Sequence, residues 1–293
     1  MFYQIKDLER LSGIKAHTIR IWEKRYSVIE PHRTPTNIRY YDDDQLRRLM
    51  NIAVLNNLGY KISKLVTLTP EELNDLLRGV KKSSDKNQQL RAFISDLIVS
   101  GMTYDEILFN KTFDEANKAF GLNSTYVNII LPMLTRIGLL WLSEDMMASQ
   151  EHFISNLLKQ KLYSIIENLH LNKNGPKCLV FLTEGEQHEV GLLFAHYLLK
   201  DSGHYVINLG PNVPYDNLNL AINETKPDKV YTFIAVSKEN KALKSFESFI
   251  NGVEEKVNCY VMGPEDKIKR FNFKRKVEFI STIEDFKSKV NEL

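Results

Sequence analysis

IKDLERLSGIKAHTIRIWEKRYSVIEPHRTPTNIRYYDDDQLRRL, residues 5–49, decides how the rest of the chain is read. Its opening places Ile5, Leu8 and Leu11 on one face of a short helix, and Ser12-Gly13 ends that helix in a tight turn. Residues 18–25 continue as a second helix with Ile19 and Trp22 packing inward. Two short helices across such a turn make a helix-turn-helix. The first braces the second so that its outer face enters the major groove of DNA. The outward residues are Lys15, His17, Thr18, Arg20 and Lys24. Beyond them, residues 26–34 and 37–41 predict a hairpin, and its Arg33, Arg39 and Tyr40 form a wing along the phosphates. Phosphate contacts set register without reading sequence.

The charge is distributed to match. The 293 residues carry a net charge of +2, yet residues 1–64 hold twelve Lys/Arg against seven Asp/Glu, leaving the remainder at −3. A basic end on a near-neutral chain fits a polyanionic partner through counterion release. With 43% hydrophobic and 26% charged residues, the composition excludes disordered and fibrous classes. No apolar run reaches the roughly 18 residues that cross a bilayer, and MFYQIKDLER has no secretory core. No membrane partner is expected, and a cytoplasmic location is. Cys178 and Cys259 lie far apart without metal-ligand spacing, which argues for buried thiols and against a disulfide or zinc site.

Working outward, the pattern divides the chain into a multidomain protein. Residues 1–80 hold the winged helix-turn-helix, and KKSSDKNQQ, 81–89, reads as a polar linker. Residues 90–172 repeat Leu, Ile, Phe and Met at three- and four-residue spacing, which predicts a four-helix bundle. From 173 to 293 the period changes: CLVFLT, YVINLG, KVYTFIAVS, NCYVMG and VEFIST are short apolar runs separated by helical stretches. That alternation predicts an α/β Rossmann-like (flavodoxin-like) parallel sheet.

In an open α/β sheet, ligands sit beyond the carboxyl ends of the strands. The first strand there ends at Thr183-Glu184-Gly185 and is followed by Glu186-Gln187-His188-Glu189-Val190-Gly191. A histidine in that loop can bind a metal through one ring nitrogen while a carboxylate, here Glu186, orients the other. Gly191 lets a large planar ligand approach the backbone.

Residues 3–60 resemble the DNA-binding domain of MerR-type regulators, through Thr18-Ile19-Arg20, Trp22-Glu23, Arg25-Tyr26, Pro31-x-Arg33-Thr34 and Arg39-x-Tyr41. The resemblance makes Lys15, His17, Thr18, Arg20, Arg25, Tyr26, Arg33, Arg39 and Tyr40 the candidate DNA contacts. Glu186-x-His188-x-x-Gly191 resembles the cobalamin-binding motif, and Leu209-Gly210-x-x-Val213-Pro214, the stretch 226–230 and Ser237 resemble that fold's later strands and loops. This implies His188 as the lower axial ligand of the cobalt of cobalamin, with Glu186, Gly191, Val213, Ser237 and Gly263 around the cofactor. In the bundle, Trp141, nine residues, then Glu151-His152 resembles the signature of the CarH/LitR branch. It implies that these three side chains wall the adenosyl group of adenosylcobalamin. Ten residues along one helix put Trp141 and Glu151 on different faces, so the two converge only if the chain turns between them, and the turn is expected at 143–145.

Two positions depart from the family pattern. Pro264 follows Gly263 where the family has a second glycine, and proline removes an amide donor. Leu142 stands where light-sensing members can have a histidine, and leucine cannot ligate cobalt. The resemblance implies a regulator of promoter DNA, not an enzyme, that senses adenosylcobalamin; where a light response needs a histidine adduct, this chain either fails as a photoreceptor or uses another ligand such as His152. The alternative is a cobalamin fold adapted to a protein partner or another ligand. Without a long heptad run, oligomerisation (dimer or tetramer) is expected through the C-terminal domains, and RNA polymerase is a further expected partner.

Overall fold

The structure is a computed structural model that describes residues 2–81, 83, 85–142, 146–234 and 240–291. The chain folds as two compact units, residues 1–157 and 158–293.

The first unit opens with α1 (Ile5–Ser12) and α2 (Ala16–Tyr26), followed by the short strands β1 (His32–Arg33) and β2 (Arg39–Tyr40). Helices α3 (Asp43–Asn57), α4 (Ile62–Leu65) and α5 (Pro70–Lys81) complete the reader. Asp42 starts α3 with a capping box: its carboxylate accepts from the Gln45 amide while the Gln45 side chain accepts from the Asp42 amide. The bundle follows as α6 (Lys86–Met102), α7 (Glu106–Thr125), a single π-helical turn at Tyr126–Ile130, α8 (Leu131–Leu142) and α9 (Ala148–Glu167). Asp85 and Asp105 cap α6 and α7 through backbone amides.

Reader and bundle share one core. Arg47 of α3 lies 3.1 Å from Asp105, and the Tyr3 hydroxyl reaches the Met102 carbonyl at 3.0 Å. The segment 81–89, expected as a linker, is mostly helical at its described residues: Lys81 ends α5 and Lys86 begins α6. The Lys81 amine lies 2.6 Å from Asp96 and 3.5 Å from Glu115 and rests over the Phe93 ring. The polar run thus begins against the packed body, its first lysine largely enclosed and paired rather than solvated.

The second unit takes the end of α9 and builds β3 (Lys177–Thr183), α10 (Glu189–Asp201), β4 (Tyr205–Val213), α11 (Tyr215–Thr225), β5 (Lys229–Phe233), α12 (Asn240–Gly252), β6 (Asn258–Met262), α13 (Glu265–Ile268), β7 (Glu278–Ile280) and α14 (Ile283–Asn291). Its five strands are parallel in the order β4-β3-β5-β6-β7. That is the flavodoxin-like order, whose switch point lies between the first and third strands of the sheet, here β3 and β5. Leu179, Phe181, Val230 and Val261 pack with Phe246, Phe249 and Ile250 as one core. Both cysteines are buried and unbridged, as expected. One strand differs from expectation. The apolar run KVYTFIAVS predicts a strand to Ser237, but β5 ends at Phe233. Ser237 lies past that end and outside the described residues.

Candidate DNA-reading and ligand-binding sites

In the reader, Leu8, Leu11 and Ile19 are fully buried and Trp22 nearly so. Gly13, with φ +74°, turns the chain after α1 and donates its amide to the Glu9 carbonyl. A left-handed residue there favours glycine. Packing on that face leaves Lys15, His17, Arg20, Lys24 and Arg25 exposed on the opposite one, with Thr18 and Tyr26 half-buried. The Arg25 guanidinium lies 5.2 Å from the centre of the Tyr26 ring. Ile21, 53% exposed, shares the outer face and was missed among candidate contacts. Its apolar character on a polar face was the signal.

The wing forms as expected. His32 pairs with Tyr40 and Arg33 with Arg39, antiparallel. The turn has Asn37 at φ +65°, and the Asn37 side-chain oxygen accepts from Arg33 at 2.6 Å. Glu23 ties the wing to α2. It accepts from the buried Tyr41 hydroxyl at 2.6 Å and lies 3.8 Å from the Arg39 guanidinium. Burial, then Glu23, raises the Tyr41 hydroxyl well above its ordinary range, so it stays a donor. His32 stacks on Tyr40 and bonds Asp42 at 2.8 Å, which fixes the wing to the cap of α3.

In the bundle, Trp141 stands near the end of α8 and is 53% exposed. Glu151 and His152 lie in the first turn of α9, with His152 Nδ1 2.9 Å from the Glu151 carboxylate. The helix break between Leu142 and Ala148 separates them, and residues 143–145, where the turn was expected, lie outside the described residues. Leu139 and Met147 add exposed apolar surface near that corner. Next to these candidates stand two bonds that sequence reasoning missed. Arg136 of α8 donates to the Leu11 carbonyl at the end of α1. Gln150 of α9 donates at 2.8 Å to the Met102 carbonyl, which Tyr3 also reaches.

In the second unit, Glu186 is 1% exposed and anchors the loop after β3. One of its carboxylate oxygens lies 2.6 Å from His188 Nδ1, and it also accepts from the Gln187 and His188 amides. Gly185, at φ +77°, allows the tight turn beneath, and its amide donates to Asn212 on β4. His188 caps α10 with its side chain 58% exposed. Contact between Nδ1 and the carboxylate assigns any metal ligation to Nε2. Glu189, next along, takes Lys159 at 3.0 Å. Val213 ends β4 opposite Thr183. Gly263, with φ +148°, packs so tightly on the Ile234 carbonyl that a β-carbon has no room. Pro264 then opens α13, its carbonyl accepting from Lys267 and Ile268. The space over Gly191 is filled from within: the Phe233 ring lies 3.0–3.2 Å from where a β-carbon would stand. Among the described residues no cluster of three His, Cys, Asp or Glu side chains could hold a metal alone. The residues thus fit a prebuilt metal complex that takes one axial imidazole.

Comparison with known proteins finds two family matches within residues 3–165. Residues 3–72 match the MerR HTH family regulatory protein model, and residues 95–165 match the B12 binding domain model. The second match falls on the helical bundle and includes Trp141, Glu151 and His152. The chain is 29% identical over 231 residues to the HTH-type transcriptional repressor CarH of Myxococcus xanthus, covering 78% of this chain and 77% of that one. It is 26% identical over 233 residues to the repressor CarA of the same organism, covering 78% and 75%. The monomethylamine corrinoid protein of Methanosarcina barkeri shares the fold, with a TM-score of 0.55 at 14% identity over 71% of this chain and all of that one. No helix among the described residues is long and apolar enough to cross a membrane. Residues 3–72 thus form a MerR-type HTH domain and residues 95–165 a B12-binding domain, and the chain is homologous to the CarH and CarA repressors, which are transcriptional regulators rather than enzymes.

Proposed function

We propose that this protein binds operator DNA through α2 and its wing, and that adenosylcobalamin held at His188 sets the strength of that binding. The observation carrying this reading is the 2.6 Å contact between buried Glu186 and His188, on the loop at the carboxyl end of β3. A buried carboxylate fixes the ring's orientation and raises its basicity as a ligand. Residues 1–80 act as reader, 90–172 carry Trp141, Glu151 and His152 as the candidates for the adenosyl group, and 173–293 carry His188 as the candidate cobalt ligand. When bound, adenosylcobalamin supplies a cobalt–carbon bond that visible light can break.

The chain's own residues supply the link to DNA. Arg136 stands five residues before Trp141 and holds the end of α1, while Gln150 adjoins Glu151 and shares the Met102 carbonyl with Tyr3. A shift of α8 or α9 therefore acts on the reader directly. Coupling of this kind is ordinarily worth about 1–3 kcal/mol. Ligand-dependent association of copies into a dimer or tetramer multiplies the effect by engaging two half-sites, with RNA polymerase as the downstream partner. Phe233 and Pro264 favour a second reading, a cobalamin fold that answers to another ligand or a protein.

The test is the visible spectrum of the full chain with adenosylcobalamin in darkness and after green illumination, paired with sizing chromatography. The spectrum of histidine-ligated cobalt and a change of size on binding are expected. His188→Ala should abolish that spectrum. An unchanged spectrum in this variant removes His188 as ligand, and a protein that stays colourless leaves the second reading.

A further inference from the structure

The switch point of the sheet, between β3 and β5, is where an open α/β fold offers its crevice. Glu186 and His188 stand on its β3 side and Gly191 in the first turn of α10. Phe233, the last residue of β5, lays its ring against Gly191, with three ring atoms within 3.2 Å of a β-carbon position there. Glycine at 191 admits a planar group, and that group is the chain's own phenyl ring. On the neighbouring side, Gly263 is closed against the Ile234 carbonyl.

We propose that Phe233 is a specificity-determining residue that keeps this crevice shut, so that the platform accepts a corrin ring on His188 but does not house a nucleotide tail beneath it. This rests on the corrinoid reading of His188 and deepens it. The chemistry is a question of space on one face. A cobalamin carries its nucleotide tail on the lower side of the ring, where the tail's own base occupies the axial position. An imidazole from the protein at that position displaces the base, and the tail must then find room beside His188. The neighbouring room is the crevice, and Phe233 fills it. The half-buried ring vacates that space only by changing rotamer.

Two probes differ in the tail alone: aquacobalamin, which has it, and diaquacobinamide, which lacks it. Full-length protein, Phe233→Ser and Phe233→Leu are titrated with each, read by equilibrium dialysis and visible absorption. The expected result is that the unaltered chain binds the two corrinoids within about threefold of each other. Phe233→Ser should tighten aquacobalamin by about tenfold or more with diaquacobinamide unchanged, while Phe233→Leu, which retains bulk, follows the parent. A parent that already prefers aquacobalamin by about tenfold overturns the proposal whatever the variants do, including a serine variant that fails to fold. So does a folded serine variant whose preference is unchanged. Binding of neither corrinoid by any of the three proteins has a different meaning: it overturns the corrinoid reading of His188, and the proposal with it.

Discussion

Glu23 and Glu186 serve the same physical role in the two units. Each is a largely buried carboxylate that orients polar side chains beside it: Glu23 bonds Tyr41 and lies 3.8 Å from Arg39, and Glu186 lies 2.6 Å from His188. Such a partner removes rotamer freedom before the ligand arrives, so less is lost on binding. The exposed arginines divide by task. Arg20 is exposed on the outer face of α2, where we propose that it meets base edges, and Arg33 is exposed on the wing, where we propose that it meets phosphates. Arg20→Ala should cost about 1–3 kcal/mol on the preferred operator and much less on unrelated DNA. Arg33→Ala should weaken both alike and reduce the salt slope by about one. Fluorescence anisotropy against operator and scrambled duplexes at several salt concentrations separates the two, and equal losses for Arg20→Ala contradict its role as a base reader. His196 gives a pH test of the second unit. Burial, then Lys200, pushes it down to about 4, and its Nδ1 lies 3.2 Å from the Asn208 amide nitrogen. The unfolded chain binds that proton at about pH 6.5 while the folded one does not. Stability from this site is therefore present above about pH 6.5 and lost progressively as pH falls toward about 4. Thermal unfolding across that window should show the loss, and His196→Gln should flatten it. An unaltered slope contradicts a histidine that the fold keeps neutral.

At the scale of elements, α8 and α9 carry both the cap candidates and the bonds that hold the reader. Gln150→Ala leaves the Met102 carbonyl with Tyr3 and should cost about 0.5–1.5 kcal/mol of stability. It should also shrink the change in DNA affinity that ligand produces, with cofactor uptake retained. An undiminished ligand effect contradicts the coupling. The elements also show what periodicity can and cannot disclose. The helices of the reader were legible because Leu8, Leu11, Ile19 and Trp22 mark one face and Gly13 ends α1. Strands β3, β4 and β6 were legible as apolar runs bounded by Gly, Pro and polar residues. The end of β5 was not. The apolar run continues past Phe233, and nothing in hydropathy distinguishes a strand residue from the ring that leaves the sheet to cover Gly191. Lys81 misled for the opposite reason: a lysine in a charged run looks solvated, and only the fold brings Asp96 and Glu115 to it.

At the scale of the molecule, the residues split into what local chemistry declares and what tertiary contact adds. The Glu186–His188 contact was legible because both partners lie within three residues of one loop. Arg136 and Leu11, 125 residues apart, were not. Both kinds meet in one claim, that a corrinoid on the C-terminal half alters the grip of the N-terminal half on DNA. The direct measurement is an anisotropy titration of the full chain onto a duplex from its own upstream region, with and without adenosylcobalamin in darkness, at two salt concentrations. Salt-sensitive binding that shifts by about fivefold or more with ligand is expected. No attachment in any ligand state, or identical affinity once the cofactor is demonstrably bound, contradicts it.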